Sequence, residues 1–169
     1  WIRKKNLIEA IESFQKAETA FDQFYEKGIL TEEELPYFIN MRYHSILERA
    51  LANFSIAQES QGAKKRIYLD YAAEVFKQIA ADFEDPCHPL AKRLAFREPS
   101  PRLLEESYYW LAQTLASAQN DPASQEILNK MLANYQKAKI TRGYLLSRTY
   151  YELGQIAIRN HDCTAALNY

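Results

Sequence analysis

Apolar residues recur at intervals of three and four positions along most of the chain. This spacing places them on one face of a helix, and no stretch shows the two-residue alternation that is typical of a strand. Gly28, the pair Gln61-Gly62 and several prolines separate the apolar runs. The pattern predicts an all-α fold with helices over residues 6–26, 37–60, 64–83, 90–96, 102–119, 123–137 and 145–160, and a last helix after residue 162.

Polar residues that favour helix starts precede several of these runs. Such side chains accept hydrogen bonds from backbone N–H groups of the first turn, and a Thr followed three residues later by Glu is a capping-box pattern. Proline directly after the cap is also common at helix starts. The predicted capping residues are Asn6, Thr31 with Glu34, Ser100, Asp121 and Asp162.

One stretch of sequence occurs twice. Residues 103–113 read LLEESYYWLAQ and residues 145–155 read LLSRTYYELGQ, so that Leu103 aligns with Leu145 and Gln113 with Gln155. A repeat period of about 20–50 residues is typical of stacked arrays, and the offset between the two copies falls within it. Short connections between the predicted helices indicate antiparallel helical hairpins that stack side by side.

At these residues the sequence resembles the tetratricopeptide repeat family, whose helix pairs follow a W-x2-L-G-x2-Y, A-x3-F, P pattern. The anchors of its second helix would be Ala10, Ala72, Ser124 and Ala166, whose unequal and longer spacings exclude the family's regular period. The two clearest matches for its first helix are Tyr108, Leu111, Ala112 and Leu115, and Tyr150, Leu153, Gly154 and Ala157.

The resemblance implies a right-handed α-solenoid of helical hairpins with irregular repeat length. It divides one continuous array into the end of a truncated helix (1–5), a second helix (6–26), helix pairs (31–83 and 101–137), an irregular insertion (84–100) and a truncated pair (145–169). We therefore expect the chain to be a piece of a longer solenoid. It is also similar, more weakly, to bacterial envelope-assembly and Tol-Pal-associated repeat proteins, which implies a bacterial and periplasmic setting, with a cytoplasmic one left open.

The net charge and the length of the apolar stretches bear on which classes of partner the chain could bind. The net charge of −1 and the pI of about 6.4 give no electrostatic case for nucleic acid, and no stretch approaches the ~20 apolar residues of a membrane span. The family resemblance implies binding of a protein or peptide in a concave groove, without catalysis or a cofactor. A second interpretation keeps the fold and makes the array the ligand-sensing regulatory part of a larger protein.

The resemblance to tetratricopeptide arrays implies that the first helix of each pair lines the groove. We therefore predict a partner-binding stripe on the two duplicated helices. Tyrosine offers rigid apolar area with a polar tip, and glutamine can bond a backbone amide. The alternative is that the two tyrosines pack between repeats and the glutamines satisfy a loop. The stripe consists of Glu106, Tyr109, Gln113, Arg148, Tyr151, Gln155 and Arg159.

The remaining candidates for a functional site are possible metal ligands and an irregular insertion. Cys87-His88 and His161-Asp162-Cys163 contain metal-ligating residue types, but the predicted topology places the two groups at opposite ends of helices about 22 Å long. We expect no metal site and no catalytic residues. The insertion carries Lys92, Arg93 and Arg97, and it is either a binding loop or a short helix that fills the gap between hairpins.

Overall fold

The computed structural model describes residues 2–85 and 101–169. All regular secondary structure in these two ranges is helical, without a strand, which confirms the predicted all-α class. The chain divides into two compact units, Trp1–Ser107 and Tyr108–Tyr169. The helices are α1 (Ile2–Glu26), α2 (Leu35–Gln58), α3 (Gly62–Glu84), α4 (Pro101–Ser117), α5 (Asp121–Lys137), α6 (Tyr144–Arg159) and α7 (Cys163–Asn168).

The observed helix bounds lie close to the predicted ones, with one exception at the first helix. The predicted cap at Asn6 is wrong, because α1 runs unbroken from Ile2 to Glu26 and Asn6 lies inside it. Residues 2–6 contain no proline or glycine, so nothing in the local sequence interrupts the helix. The predicted helix over 90–96, the Ser100 cap and most of the 84–100 insertion lie outside the described residues.

Among α1, α2 and α3 of the first unit, α2 contributes the most buried residues that the structure describes. It packs against α1 on one side and α3 on the other. Its inward residues recur at helical spacing and include Ile39, Tyr43, Leu47 and Ile56, all of which are buried. From α3, Phe76 is fully buried as well. The amphipathic pattern that predicted these helices therefore also identifies their buried faces.

Arg49 of α2 connects α1, α2 and α3. Its guanidinium forms a two-pronged ion pair with Glu18 of α1, with both N···O distances at 2.8 Å. The same group lies 5.5 Å from the ring centre of Tyr71 in α3. Only 14% of each partner's side chain is exposed in the ion pair. A planar guanidinium suits both contacts at once, since it bonds carboxylates through two donors and stacks on aromatic rings.

Tyr43 provides a second link between α2 and α3. Its hydroxyl donates to a carboxylate oxygen of Asp82 at 3.0 Å, and its ring lies 5.1 Å from that of Phe83. Burial, and then the neighbouring Asp82 carboxylate, raises the pKa of Tyr43 well above its ordinary value. The phenol therefore stays protonated and remains a hydrogen-bond donor at physiological pH.

The α4–α5 turn of the second unit is a compact helix-ending motif. Gln119 adopts the left-handed conformation with φ of 62°. The Asn120 N–H bonds the Leu115 carbonyl at 2.9 Å, and the Gln119 N–H bonds the Ala116 carbonyl at 2.9 Å. These two bonds define a Schellman motif. The Asn120 side chain then accepts a hydrogen bond from the Ala123 N–H at 3.3 Å and caps α5.

The α6–α7 turn repeats this motif at the equivalent positions of the next hairpin. His161 has φ of 59°, and the Asp162 N–H bonds the Ala157 carbonyl at 2.9 Å. The His161 N–H bonds the Ile158 carbonyl at 3.0 Å. Asp162 accepts from the Ala165 N–H at 2.9 Å, which confirms the predicted cap. The sequence repeat is therefore also a conformational repeat of helix, turn and cap.

Small residues allow close helix approach in both hairpins. The Ser124 hydroxyl donates to the backbone carbonyl of Ala112 at 2.9 Å, which ties α5 to α4. At the equivalent positions of the next hairpin, a Cβ placed on Gly154 would lie 4.0 Å from the Ala166 carbonyl oxygen. The repeat therefore uses the same two positions for contact between the helices of each pair.

Two predicted caps have different outcomes. The Thr31 N–H and hydroxyl both donate to Glu34, at 3.0 and 2.8 Å, and the Glu34 N–H donates back to the Thr31 hydroxyl at 3.3 Å. This confirms the capping box ahead of α2. The cap predicted at Asp121 is wrong, because Asn120, one residue earlier, accepts the capping bond. Asp121 lies inside the first turn, where its carboxylate can reach another helix.

Candidate functional site

One face of α6, in the second unit, exposes a row of apolar side chains. Tyr144, Tyr151 and Ile158 follow one another at every seventh position, and their exposed fractions are 74%, 59% and 58%. Seven positions are almost two helical turns, so the three side chains lie in line along the helix. We call Tyr144, Tyr151 and Ile158 the α6 face. The opposite side of the same helix is buried through Leu146, Thr149, Leu153, Ile156 and Ala157.

Two residues of the predicted stripe come together, one from each duplicated helix. Arg148 of α6 donates two hydrogen bonds to the phenolic oxygen of Tyr109 in α4, from Nε at 3.1 Å and from Nη2 at 2.8 Å. Trp110 packs edge-on against the Tyr109 ring, with the ring centres 5.3 Å apart. Only 4% of Tyr109 is exposed, so it offers almost no surface to a partner.

The pKa of Tyr109 reflects this environment. Burial raises the pKa of the phenol, and the opposing effect of the Arg148 hydrogen bonds is smaller. The phenol therefore remains neutral at physiological pH, and its oxygen accepts from the guanidinium as a neutral group. The contact is a structural link between α4 and α6.

The repeat-equivalent tyrosine has a different environment. Tyr151 occupies the position of Tyr109 in the duplicated sequence, yet it is largely exposed. The preceding tyrosine of each copy shows the same difference in exposure. Tyr108 is buried, with the Lys130 ammonium 5.1 Å from its ring centre, whereas Tyr150 is partly exposed. Residues at equivalent positions of the repeat therefore differ in exposure, and the tyrosines of α6 are the accessible ones.

Arg159, the last residue of the predicted stripe, is engaged within the unit. Its Nε and Nη2 atoms lie 2.9 and 2.8 Å from the two carboxylate oxygens of Asp121 at the start of α5. The hydrogen bonds from Arg159 lower the pKa of Asp121. Because Asp121 lies in the first turn of α5, its negative charge also interacts favourably with the helix dipole.

The remaining stripe residues are half-buried. Gln113 and Gln155 occupy equivalent positions on α4 and α6, and neither side chain forms a hydrogen bond within the described part of the chain. Glu106 is half-buried one turn before Tyr109. The structure therefore joins Tyr109 to Arg148, pairs Arg159 with Asp121 outside the stripe, and leaves Tyr151 and Gln155 on the accessible side of α6.

Tyr144 and Ile158 belong to the accessible face but were not among the predicted site residues. The predicted stripe on α6 follows spacings of three and four residues from Arg148 to Arg159, and neither Tyr144 nor Ile158 belongs to it. The sequence signal that identifies them is that each lies seven residues from Tyr151. Tyr144 also lies near Arg148, whose guanidinium carbon is 6.0 Å from the Tyr144 ring centre.

The described residues contain no cluster of three or more His, Cys, Asp or Glu side chains that could hold a metal ion. In the turn that carries His161-Asp162-Cys163, the Asp162 carboxylate caps α7 and Cys163 is exposed. Cys87 and His88 lie outside the described residues. Over the same described ranges, no helix combines the length and apolar character needed to cross a membrane.

Comparison of the chain with protein-family models, with curated proteins and with solved structures finds no match in any of the three.

Proposed function

We propose that this protein is a scaffold that binds another protein or peptide and acts through binding rather than catalysis. In this proposal the helices form a tetratricopeptide-like, right-handed α-solenoid of hairpins, and the partner lies against the first helices of the pairs. The observation that carries the proposal is the exposure of the α6 face. Solvent-exposed aromatic and aliphatic side chains in a row are typical of protein interaction surfaces.

The conformational repeat supports the solenoid. The turns after α4 and after α6 each have a left-handed residue, the same pair of backbone bonds and the same capping bond, at equivalent positions of the duplicated sequence. Recurrence of a first-helix sequence together with its turn and cap is typical of a stacked array. The contact between Arg148 and Tyr109 supports side-by-side packing of the first helices of successive pairs.

Site-specific cross-linking tests the proposal. The photoreactive residue p-benzoylphenylalanine replaces Tyr151 in one variant and Tyr37 of α2 in a matched control, because both tyrosines are exposed. Irradiation in the source organism, followed by mass spectrometry, should give an adduct with one protein at position 151 and none with that protein at position 37. The absence of a protein adduct at position 151, under conditions where intramolecular products show that the probe reacts, would contradict the scaffold function.

A further inference from the structure

We propose that the α6 face binds an acidic amphipathic helix of the partner protein, laid along α6. This inference rests on the proposed scaffold function and specifies the chemistry of its partner. Three observations support it: the spacing of the apolar residues, the charge around them, and the way the neighbouring repeat covers the equivalent position.

The spacing of the apolar residues fits a helix. Tyr144, Tyr151 and Ile158 are about 10 Å apart along the axis and span about 21 Å, at ~1.5 Å per residue. A partner helix that crosses at a small angle presents side chains with the same ~10 Å repeat, as in coiled-coil seams. An extended peptide presents side chains on one side every ~6.7 Å and would lose register along this length.

The charge around the face is positive. The segment from Lys137 to Arg159 contains five basic residues and one acidic residue, a net charge of +4 in a chain whose net charge is −1. Arg159 is paired with Asp121 of α5, which offsets one of these positive charges. The acidic residue, Glu152, has 16% of its side chain exposed and lies 3.7 Å from Arg148. Lys139 and Arg142 are exposed and form no ion pair within the described ranges. Positive potential favours carboxylates on the partner.

The covered copy of the repeat shows how a helix binds at this position. Tyr109 of α4 lies against α6, which supplies the guanidinium of Arg148. At Tyr151, a helix in the same place would continue this interface by one repeat. Arg148 already bonds Tyr109, so the cations open to an incoming helix are the exposed Lys139 and Arg142, just before α6. These charges favour a helix that carries carboxylates.

The test measures binding of labelled peptides to the whole chain by fluorescence anisotropy. Two helical peptides of about three heptads share the same leucine seam, and their flanking positions carry glutamate in one peptide and lysine in the other. The glutamate peptide should bind at least about tenfold more tightly, and its affinity should fall as salt rises. The Arg142→Glu variant should weaken this binding several-fold. Equal affinity for both peptides would overturn the proposal.

A matched pair of variants locates the binding. The variant Tyr144→Ser/Tyr151→Ser/Ile158→Ser should reduce affinity for the glutamate peptide about tenfold or more. The control Tyr37→Ser/Met41→Ser/Ile67→Ser removes similarly exposed apolar residues of the first unit and should leave the affinity unchanged. Circular dichroism verifies that both variants are folded. Equal losses in the two variants would overturn the assignment to α6.

Two further outcomes would overturn the acidic-helix proposal. One is tighter binding of the α6 face to phosphatidylserine vesicles than to the glutamate peptide, and the other is self-association that the α6 variant abolishes. A cross-linked protein partner at position 151 combined with no preference for the glutamate peptide would leave the scaffold function standing and reject the acidic helix. The absence of any cross-linked partner would contradict the scaffold function itself.

Discussion

Arg148 and Tyr109 join the two duplicated helices of this protein through hydrogen bonds of 3.1 and 2.8 Å to one phenolic oxygen. The contact covers one copy of a repeated tyrosine, while the other copy, Tyr151, remains exposed on α6. A duplicated sequence has therefore produced one packing position and one accessible position. The proposed binding face on α6 depends on this difference.

The first prediction concerns the Tyr109 hydroxyl. The Tyr109→Phe variant removes the acceptor of both Arg148 bonds, and we expect the free energy of unfolding to fall by about 1 kcal/mol. The loss is moderate because the Arg148 side chain is 44% exposed and water can solvate it. Urea unfolding monitored by circular dichroism measures the change. Tyr151→Phe is the matched control, and a loss as large as that of Tyr109→Phe would contradict the contrast between the two copies.

The second prediction concerns Gly154, inside α6. Replacement by alanine should raise the free energy of unfolding by about 1 kcal/mol, because alanine is the better helix former. The added methyl group would meet the Ala166 carbonyl oxygen at 4.0 Å, an ordinary contact, and the equivalent position in α4 is already Ala112.

Gly28 provides the contrast for Gly154. Its φ of 62° is unfavourable for residues with a Cβ, so Gly28→Ala should lower the free energy of unfolding by about 1 kcal/mol. Thermal unfolding of both variants tests whether Gly154→Ala raises the stability and Gly28→Ala lowers it. Destabilisation by Gly154→Ala would contradict the 4.0 Å separation between the added methyl group and the Ala166 carbonyl oxygen.

The third prediction concerns the left-handed residue after α5. Lys139 has φ of 56°, and its Cβ makes that conformation costly. Lys139→Gly should therefore raise the free energy of unfolding by about 0.5–1 kcal/mol. The neighbouring Ala138 has φ of −80°, so Ala138→Gly should lower stability instead. Chemical denaturation of both variants separates the two effects, and stabilisation by Ala138→Gly would argue against the assigned turn.

The fourth prediction concerns the pH dependence of the Asp121–Arg159 pair. The Arg159 hydrogen bonds lower the pKa of Asp121 in the folded state. The stabilisation is therefore fully present above the unfolded-state pKa of about 3.9 and is lost as the pH falls through the folded-state pKa. The Asp121→Asn variant should be less stable than the natural chain at pH 7 by about 0.5–1 kcal/mol.

The difference between Asp121→Asn and the natural chain should disappear at low pH, where the carboxylate of the natural chain is protonated. Asp70→Asn is the matched control, since Asp70 lies 3.8 Å from Arg66 in a highly exposed pair. That variant should change stability by less than about 0.5 kcal/mol at any pH. Unfolding curves from pH 2 to pH 7 give the comparison. A constant difference for Asp121→Asn across this range would contradict the proposed role of its charge.

The helices and several of their ends could be predicted from the sequence because they depend on local patterns. The spacing of apolar residues determines which face is buried. Thr31 with Glu34 forms a capping box ahead of α2, and Asp162 caps α7, in each case through bonds that reach only three residues along the chain. Asp121 shows the limit of this reasoning. Asn120 and Asp121 are both good capping residues, and only the packing of α6 beside α5 explains why Asp121 bonds Arg159 instead.

The exposure of the duplicated tyrosines could not be predicted for a similar reason. Tyr109 and Tyr151 have nearly the same local sequence, so the pattern assigns them the same position on their helices. Their environments differ because α6 packs against α4 and contributes Arg148. Which copy is available for binding is thus a property of tertiary packing, and the line of Tyr144, Tyr151 and Ile158 becomes a candidate site only when its exposure is known.

The most direct test of the scaffold function is the affinity for the protein that is cross-linked at position 151. Isothermal titration calorimetry should be carried out with the natural chain, with Tyr144→Ser/Tyr151→Ser/Ile158→Ser, and with the first-unit control Tyr37→Ser/Met41→Ser/Ile67→Ser. We predict that the α6 variant raises the dissociation constant about tenfold or more, while the control stays within about twofold of the natural chain. Unchanged affinity in a correctly folded α6 variant would contradict the central claim that this face binds the partner.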